Sequence, residues 1–335
     1  MKNNDRKSRG AVWVRRLLIG LVVIVVAPVA AGFIYESIAT AAAGRDYPPP
    51  GQLVDVGGYR LHLHVMGEAQ GTPTVILDHG GSAMSAQWGW VQPGIARFTR
   101  VVAYDRPGMG WSDSSPERLE AQQAAHDLYT ALQQAGIQGP YLLVGHSMGG
   151  LAVRVFAQAY PGETAGLVLI DPRDITWEGV HDEEPEINPF IFRLVALAGR
   201  LGLVRLYGSL ATDVQGLPPR QYEEASALMY SYHHMRNLEA DAYLGDSAAA
   251  WLQRGEQLED LPLVVLSAAE PGGGFDARQR EALNALHVRL AARSPHGIHR
   301  IVPGADHVTI STRQENAQAV TDAVVELLDA CLVND

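Results

Sequence analysis

A serine framed by glycines carries the clearest chemical potential in this chain. Gly145-His146-Ser147-Met148-Gly149-Gly150 follows the apolar run Tyr141-Leu142-Leu143-Val144 and opens a helical stretch, Leu151 to Tyr160. A Gly-x-Ser-x-Gly pattern between a buried strand and a helix sets the serine on a sharp, strained turn, where only small neighbours let the backbone pass. The strain presents the hydroxyl to a substrate. The hydroxyl must lose its proton as it attacks, and the side chain that titrates near neutrality is histidine. Twelve histidines are available. His146 is too close in sequence to serve its neighbouring serine, His62 and His64 belong to an early strand pattern, and His233-His234 lack metal-ligand spacing.

The elements that must hold these groups are legible as patterns. Leu53 to Val56 and Tyr59 to Val65 alternate, and Gly57-Gly58 between them suits a tight hairpin. Six short apolar runs follow: Thr74 to Leu77, Val101 to Tyr104, Tyr141 to Val144, Leu167 to Ile170, Leu263 to Leu266 and Ile298 to Val302. Runs of this kind suit strands buried on both faces. Helical patterns lie between them, the clearest from Leu119 to Ala135 with Gly136 as its stop. The alternation predicts an α/β fold: a mostly parallel eight-stranded sheet with an antiparallel first hairpin and helices on both faces. Residues 173–260 hold helical stretches but no strand pattern, and are read as an α-helical cap inserted after the sixth strand. Its apolar segment Phe190 to Leu210 is read first as core packing, with a lid that meets lipid as the sharper alternative.

With the elbow in that setting, the chain resembles the α/β-hydrolase superfamily from about Leu53 to about Leu328. The resemblance implies Ser147 as nucleophile and His307, in Val302-Pro303-Gly304-Ala305-Asp306-His307 after the last strand, as its base. It implies an oxyanion hole from the backbone amides of Gly81, in His79-Gly80-Gly81-Ser82, and of Met148. The acid that orients the histidine has two candidate places. After the strand before the last, the sequence reads Ser267-Ala268-Ala269-Glu270-Pro271, where the expected aspartate is missing and Glu270 could serve, with Asp276 a remote third choice. Other members keep the acid at the end of the strand after the nucleophile, where Asp171 stands, and Asp171 is favoured over Glu270. The loop Asp105 to Asp113 looks like the family's loop at that point and is given a structural role only.

The first fifty residues read differently. Leu17 to Ile34 is eighteen residues without a charge, a helix of about 27 Å and close to a bilayer core. Lys2, Arg6, Lys7, Arg9, Arg15 and Arg16 precede it, so the positive-inside rule keeps the N-terminus cytoplasmic and the rest of the chain extracytoplasmic. The alternative is secretion after signal cleavage near Ala39-Thr40-Ala41, against which the length of the apolar stretch argues. The expected organisation is a basic N-terminus at 1–16, a transmembrane anchor at 17–35, a linker at 36–51 with the stiff spacer Tyr47-Pro48-Pro49-Pro50-Gly51, a hydrolase core at 52–172 and 261–335, and the cap at 173–260.

Composition limits the partners. A net charge of −11 over 335 residues, with the positive excess confined to the N-terminal end, leaves no broad basic surface for nucleic acid. A single cysteine, Cys331, excludes an intramolecular disulfide and a thiolate metal cluster. No metal or organic cofactor is required. The expected activity is hydrolysis of a small hydrophobic carboxylic ester through an acyl-enzyme, as in carboxylesterases and lipases. Amidase or peptidase, thioesterase and C–C bond hydrolase chemistry are the alternatives on the same fold, and a non-catalytic binding module is a minor one. Serine instead of aspartate at position 147 argues against epoxide-hydrolase chemistry, which uses an alkyl-enzyme ester.

Overall fold

The fold was described from a computed structural model covering residues 2–71, 73–175, 188–208, 215–256, 258 and 261–333. It begins with a continuous helix made of α1 (Lys2–Leu21), a π-helical turn (Val22–Val26) and α2 (Ala27–Asp46). The π turn, closed by the Ala27 N–H on the Val22 carbonyl, directly precedes Pro28, whose ring and missing N–H interrupt the ordinary ladder. From Val12 to Asp46 this helix is long and apolar enough to cross a membrane. It does not end near residue 35 as the expected linker required. Helix-favouring residues such as Ala41-Ala42-Ala43 carry it to Asp46, and only Tyr47 to Gly51 is left as a spacer.

Eight strands follow: β1 (Gln52–Asp55), β2 (Arg60–Met66), β3 (Thr74–Asp78), β4 (Val101–Tyr104), β5 (Tyr141–His146), β6 (Thr164–Ile170), β7 (Leu263–Ala268) and β8 (Gly297–Val302). They form one sheet in the order β1-β2-β4-β3-β5-β6-β7-β8, antiparallel at β1–β2 and β2–β4 and parallel elsewhere. Each expected strand is present. The hairpin turn uses Gly57 and Gly58 at positive φ, and the Asp55 carboxylate accepts both of their N–H groups.

The strand period of two sorts the core onto both faces of the sheet. Leu142, Val144, Val168, Ile170, Val264 and Leu266 pack on one side with α3 (Val91–Ile95) and α12 (Gln314–Val333). Leu143, Leu167, Leu169 and Val265 pack on the other with α4 (Ala121–Gln134), α5 (Met148–Ala159) and α10 (Ala277–Ala291). Each such fully buried side chain contributes about 1.5–3 kcal/mol of transfer free energy. That makes a rigid plate whose strand ends can hold a strained turn.

Between β6 and β7 stand α6 (Pro189–Arg200), α7 (Leu203–Gly208), α8 (Pro219–Met229) and α9 (Tyr232–Leu252). Residues 176–187 and 209–214 of the expected cap, including Leu210, lie outside the described residues. The core-packing reading of the apolar segment is corrected for one face: Phe190, Ile191, Leu194, Leu197, Leu203 and Leu206 are all exposed, while Val195, Leu201 and Val204 are half-buried. Helical periodicity reported an apolar face, but it cannot tell a face against the core from one turned outward. The short helix α11 (Thr309–Thr312) completes the chain before α12.

Candidate active site

Ser147 sits between β5 and α5 with φ 52° and ψ −118°, a left-handed conformation that a non-glycine residue adopts only when its surroundings enforce it. The enforcement is visible. Its N–H donates to the Ile170 carbonyl, and its own carbonyl accepts from Gly150 and Arg173. A Cβ on Gly145 would lie 2.4 Å from the Gly149 carbonyl oxygen, and one on Gly149 would lie 2.4 Å from that of Asp78. The two glycines of the pattern are therefore steric requirements.

His307, on the loop after β8, brings Nε2 to 2.9 Å from Ser147 Oγ and Nδ1 to 2.5 Å from Asp171 Oδ2. Asp171 closes β6, is fully buried and has φ 42°. Its carboxylate also accepts from the Ala268 N–H at 3.0 Å and from both Arg280 terminal nitrogens at 2.5 and 2.9 Å. Burial alone would raise this carboxyl, but the hydrogen bond and charge of His307, with His287 and Arg280, hold it below the usual carboxylate range. Glu270 is exposed, and it meets the loop that carries His307 through its backbone, whose N–H donates to the Ala305 carbonyl. Asp276 caps α10 by accepting from the Gln279 N–H. Of the three acids, only Asp171 makes a hydrogen bond to His307 among the described residues.

Gly81 lies against Met148: a Cβ on Gly81 would stand 3.7 Å from Met148 Cβ. Met148 is the first residue of α5, so its amide belongs to the positive end of the helix dipole. Gly81, Ser147 and His307 line one cavity of about 740 Å³ including its mouth, with Met84, Leu217, Ala225, Met229 and Val308 on its apolar wall.

Two sets of residues that sequence reasoning passed over hold this site together. Arg106, on the loop assigned only a structural role, is buried beneath Gly80-Gly81. It donates to the carbonyls of His79 at 2.6 Å and Gly80 at 2.7 Å, pairs with Asp78, and reaches Asp241 of α9 at 2.8 Å. Asp241 in turn accepts the Ser82 N–H at 2.7 Å. Gln87 forms the second set: its carbonyl accepts from the Gly80 N–H, and its amide donates to Ser311 Oγ and to His146 Nδ1. His146 Nε2 then donates to the His307 carbonyl at 2.8 Å. Burial, with the nearby His307, pushes His146 down to about 3, so it stays neutral with its proton on Nε2. His146 thus steadies the His307 loop from behind. His233 and His234 link the cap to this side of the core, through the Ser112 and Ser82 carbonyls respectively.

Residues 73–195 match the family model described as alpha/beta hydrolase fold. An esterase from Thermogutta terrifontis superposes with a TM-score of 0.58 at 21% identity, over 84% of this chain and 98% of its own. A putative epoxide hydrolase from Pseudomonas aeruginosa gives 0.62 at 19%, over 84% and 95%. At those identities the likeness is one of fold. An uncharacterized vacuolar membrane protein of Saccharomyces cerevisiae is 36% identical over 153 residues, which are 41% of this chain and 22% of that protein. The chain spans 33%, 34% and 22% of the length of three curated relatives it matches. Sheet order, elbow and family match together define the class by fold, which is that of the α/β hydrolases.

Proposed function

We propose that this chain is a serine hydrolase that cleaves carboxylic esters through an acyl-enzyme, with Ser147 as nucleophile, His307 as base and Asp171 as the acid that orients it. The observation that carries this reading is the unbroken hydrogen-bonded line from Ser147 Oγ through His307 to Asp171, at 2.9 and 2.5 Å. His307 Nε2 takes the hydroxyl proton as Oγ bonds to the ester carbon, and the resulting oxyanion is met by the Gly81 and Met148 N–H groups. His307 then gives that proton to the departing alcohol. Water, deprotonated by the same nitrogen, attacks the acyl-enzyme, and collapse of the second tetrahedral intermediate frees the acid and restores Ser147. Asp171 keeps the Nδ1 proton in place and stabilises the imidazolium without taking its proton.

A serine at the elbow supports an acyl intermediate over the alkyl-enzyme ester of epoxide hydrolases. The apolar cavity wall supports a hydrophobic acyl or alcohol group. The N-terminal helix, with six basic residues before its apolar stretch and only Arg45 after it, supports a membrane anchor with the catalytic domain outside the cytoplasm. A fluorophosphonate probe tests the assignment. The folded chain should be labelled, and Ser147→Ala should abolish both labelling and hydrolysis of a panel of acyl esters. Labelling that survives in the variant, or a wild type that neither labels nor turns over, would overturn it.

A further inference from the structure

The N-terminal helix meets the cap by close backbone contact. A Cβ on Gly32 would stand 2.5 Å from the Leu201 carbonyl oxygen, and one on Gly202, in the same turn between α6 and α7, would stand 2.5 Å from the Tyr35 ring. Next to this contact the Glu36 carboxylate is buried. It accepts from Arg205 at 3.0 and 3.1 Å, from the Tyr232 N–H at 2.9 Å and from Thr40. Arg200 lies 4.8 Å from the ring centres of both Phe33 and Tyr232. The helix is therefore held to the cap by its own residues 32–40.

That junction has a definite depth. Counting from Leu17, the first residue after Arg15-Arg16, twenty helical residues reach Glu36 and span about 30 Å, the thickness of a bilayer hydrocarbon core. The cap thus grips the last turn of the apolar span. Beside the grip, α6 turns Phe190, Ile191, Leu194 and Leu197 outward along one face, and α7 continues it with Leu203 and Leu206. Arg193 stands exposed on α6 as well. The apolar side chains of the helix from Leu17 to Val29 are likewise exposed all round, a state that lipid satisfies.

We propose that the α6–α7 face is a bilayer-docking surface, seated among the acyl chains of the leaflet nearest the catalytic domain; this rests on reading the N-terminal helix as a membrane anchor. Lipid is the occupant because the face continues a helix whose whole circumference demands it, at the depth where that helix leaves the hydrocarbon. Arg193 lies within reach of headgroup phosphates, as a cationic side chain at an interface does. The anchor helix also lies near the cavity. α8 carries Ala225 and Met229 on the cavity wall and packs against α2, so one helix separates the anchor from the space in front of Ser147. An ester dissolved in the bilayer has a short way to travel.

The test uses the full chain in phosphatidylcholine vesicles, in a Cys331→Ser background, carrying an environment-sensitive NBD label on Leu197→Cys. A second protein carries it on Gln134→Cys, exposed at the end of α4 before β5 begins, while the elbow follows the other end of that strand. At position 197 the emission should shift to the blue and be quenched by doxyl-labelled lipid, and at 134 neither should occur. Equal, unquenched emission at the two positions overturns the proposal, as does failure of the chain to float with vesicles. A blue shift at 197 that doxyl lipid leaves unquenched assigns the face to a second copy or another protein and also overturns it. None of these readouts needs turnover. Loss of Ser147 labelling by a fluorophosphonate would refute the hydrolase reading and leave the docking result standing.

Discussion

Asp171 reaches His307 Nδ1 at 2.5 Å from the end of β6, two strands removed from β8, while Arg280 of α10 clasps the same carboxylate from its far side. The place after β7 is filled differently: Glu270 is exposed there, and its backbone N–H holds the Ala305 carbonyl. Asp171→Asn should therefore leave KM nearly unchanged and lower kcat by about three to four orders of magnitude, since the amide favours the wrong tautomer of the base. Glu270→Gln should retain near wild-type turnover. Steady-state hydrolysis of a soluble ester by both variants measures this, and a kcat loss confined to Glu270→Gln would reverse the assignment.

Arg106 should prove as important to the His79-Gly80-Gly81 loop as to stability. Arg106→Met strands the buried carboxylates of Asp78 and Asp241 and frees the His79 and Gly80 carbonyls. Removing one partner of a buried ion pair costs about 3–5 kcal/mol, so thermal unfolding should shift down accordingly. What still folds should show a depressed kcat, because Gly81 follows the loop that Arg106 ties down.

How much of this was legible beforehand differs by range along the chain. The eight strands and Ser147 were readable because a strand of β-branched and leucine residues, a pair of glycines and a following helix are local signals. His307 and Asp171 could be singled out only through the resemblance, which implies a base and an acid at strand ends; the structure adds their hydrogen bonds to Ser147 and to each other. Arg106 with Asp241, and Asp171 with Arg280, join residues 135 and 109 positions apart, and no local spacing announces such a pair. His146 was set aside as base for a sound reason, its closeness to Ser147, but its reach backward to the His307 carbonyl depends on how the two loops meet. The helical extension to Asp46 did leave a signal, the alanines of residues 39–43, which the triple proline after them obscured.

Acid should unfold the domain steeply. Burial pushes His79 and His146 down to about 3 and His287 to about 4, so all three are neutral when folded and titrate near 6.5 when unfolded. A depressed folded pKa stabilises the fold fully above the unfolded value and loses that contribution as pH falls towards the folded one. Between about pH 6 and 4 the unfolded chain takes up protons that the folded one refuses, and each histidine removes about 1.4 kcal/mol per pH unit. Denaturant midpoints across that window should fall with a slope that His287→Gln makes shallower.

The Glu36 and Arg205 pair couples the N-terminal helix to the cap, and Arg205→Met should expose that coupling. With Glu36 buried and short of its cation, unfolding should shift by about 3 kcal/mol, and Glu36→Gln in the same protein should restore part of the loss. Fluorophosphonate labelling of Ser147 at ambient temperature should persist in both, since neither residue lines the cavity. A double variant no more stable than Arg205→Met alone would show that the pair does not act as a unit.

The helix that starts at Lys2 runs without a break into Glu36 and Asp46 and is fastened there, so the globular part sits on a mast instead of swinging on a tether. A mast mounted in a bilayer has one height and one face towards the surface, and it can only translate and spin. Encounters with substrate would then follow diffusion in a plane, and turnover would answer to the mole fraction of ester among the lipids while ignoring how much buffer surrounds the vesicle. Adding inert lipid would slow such an enzyme. Adding water would not.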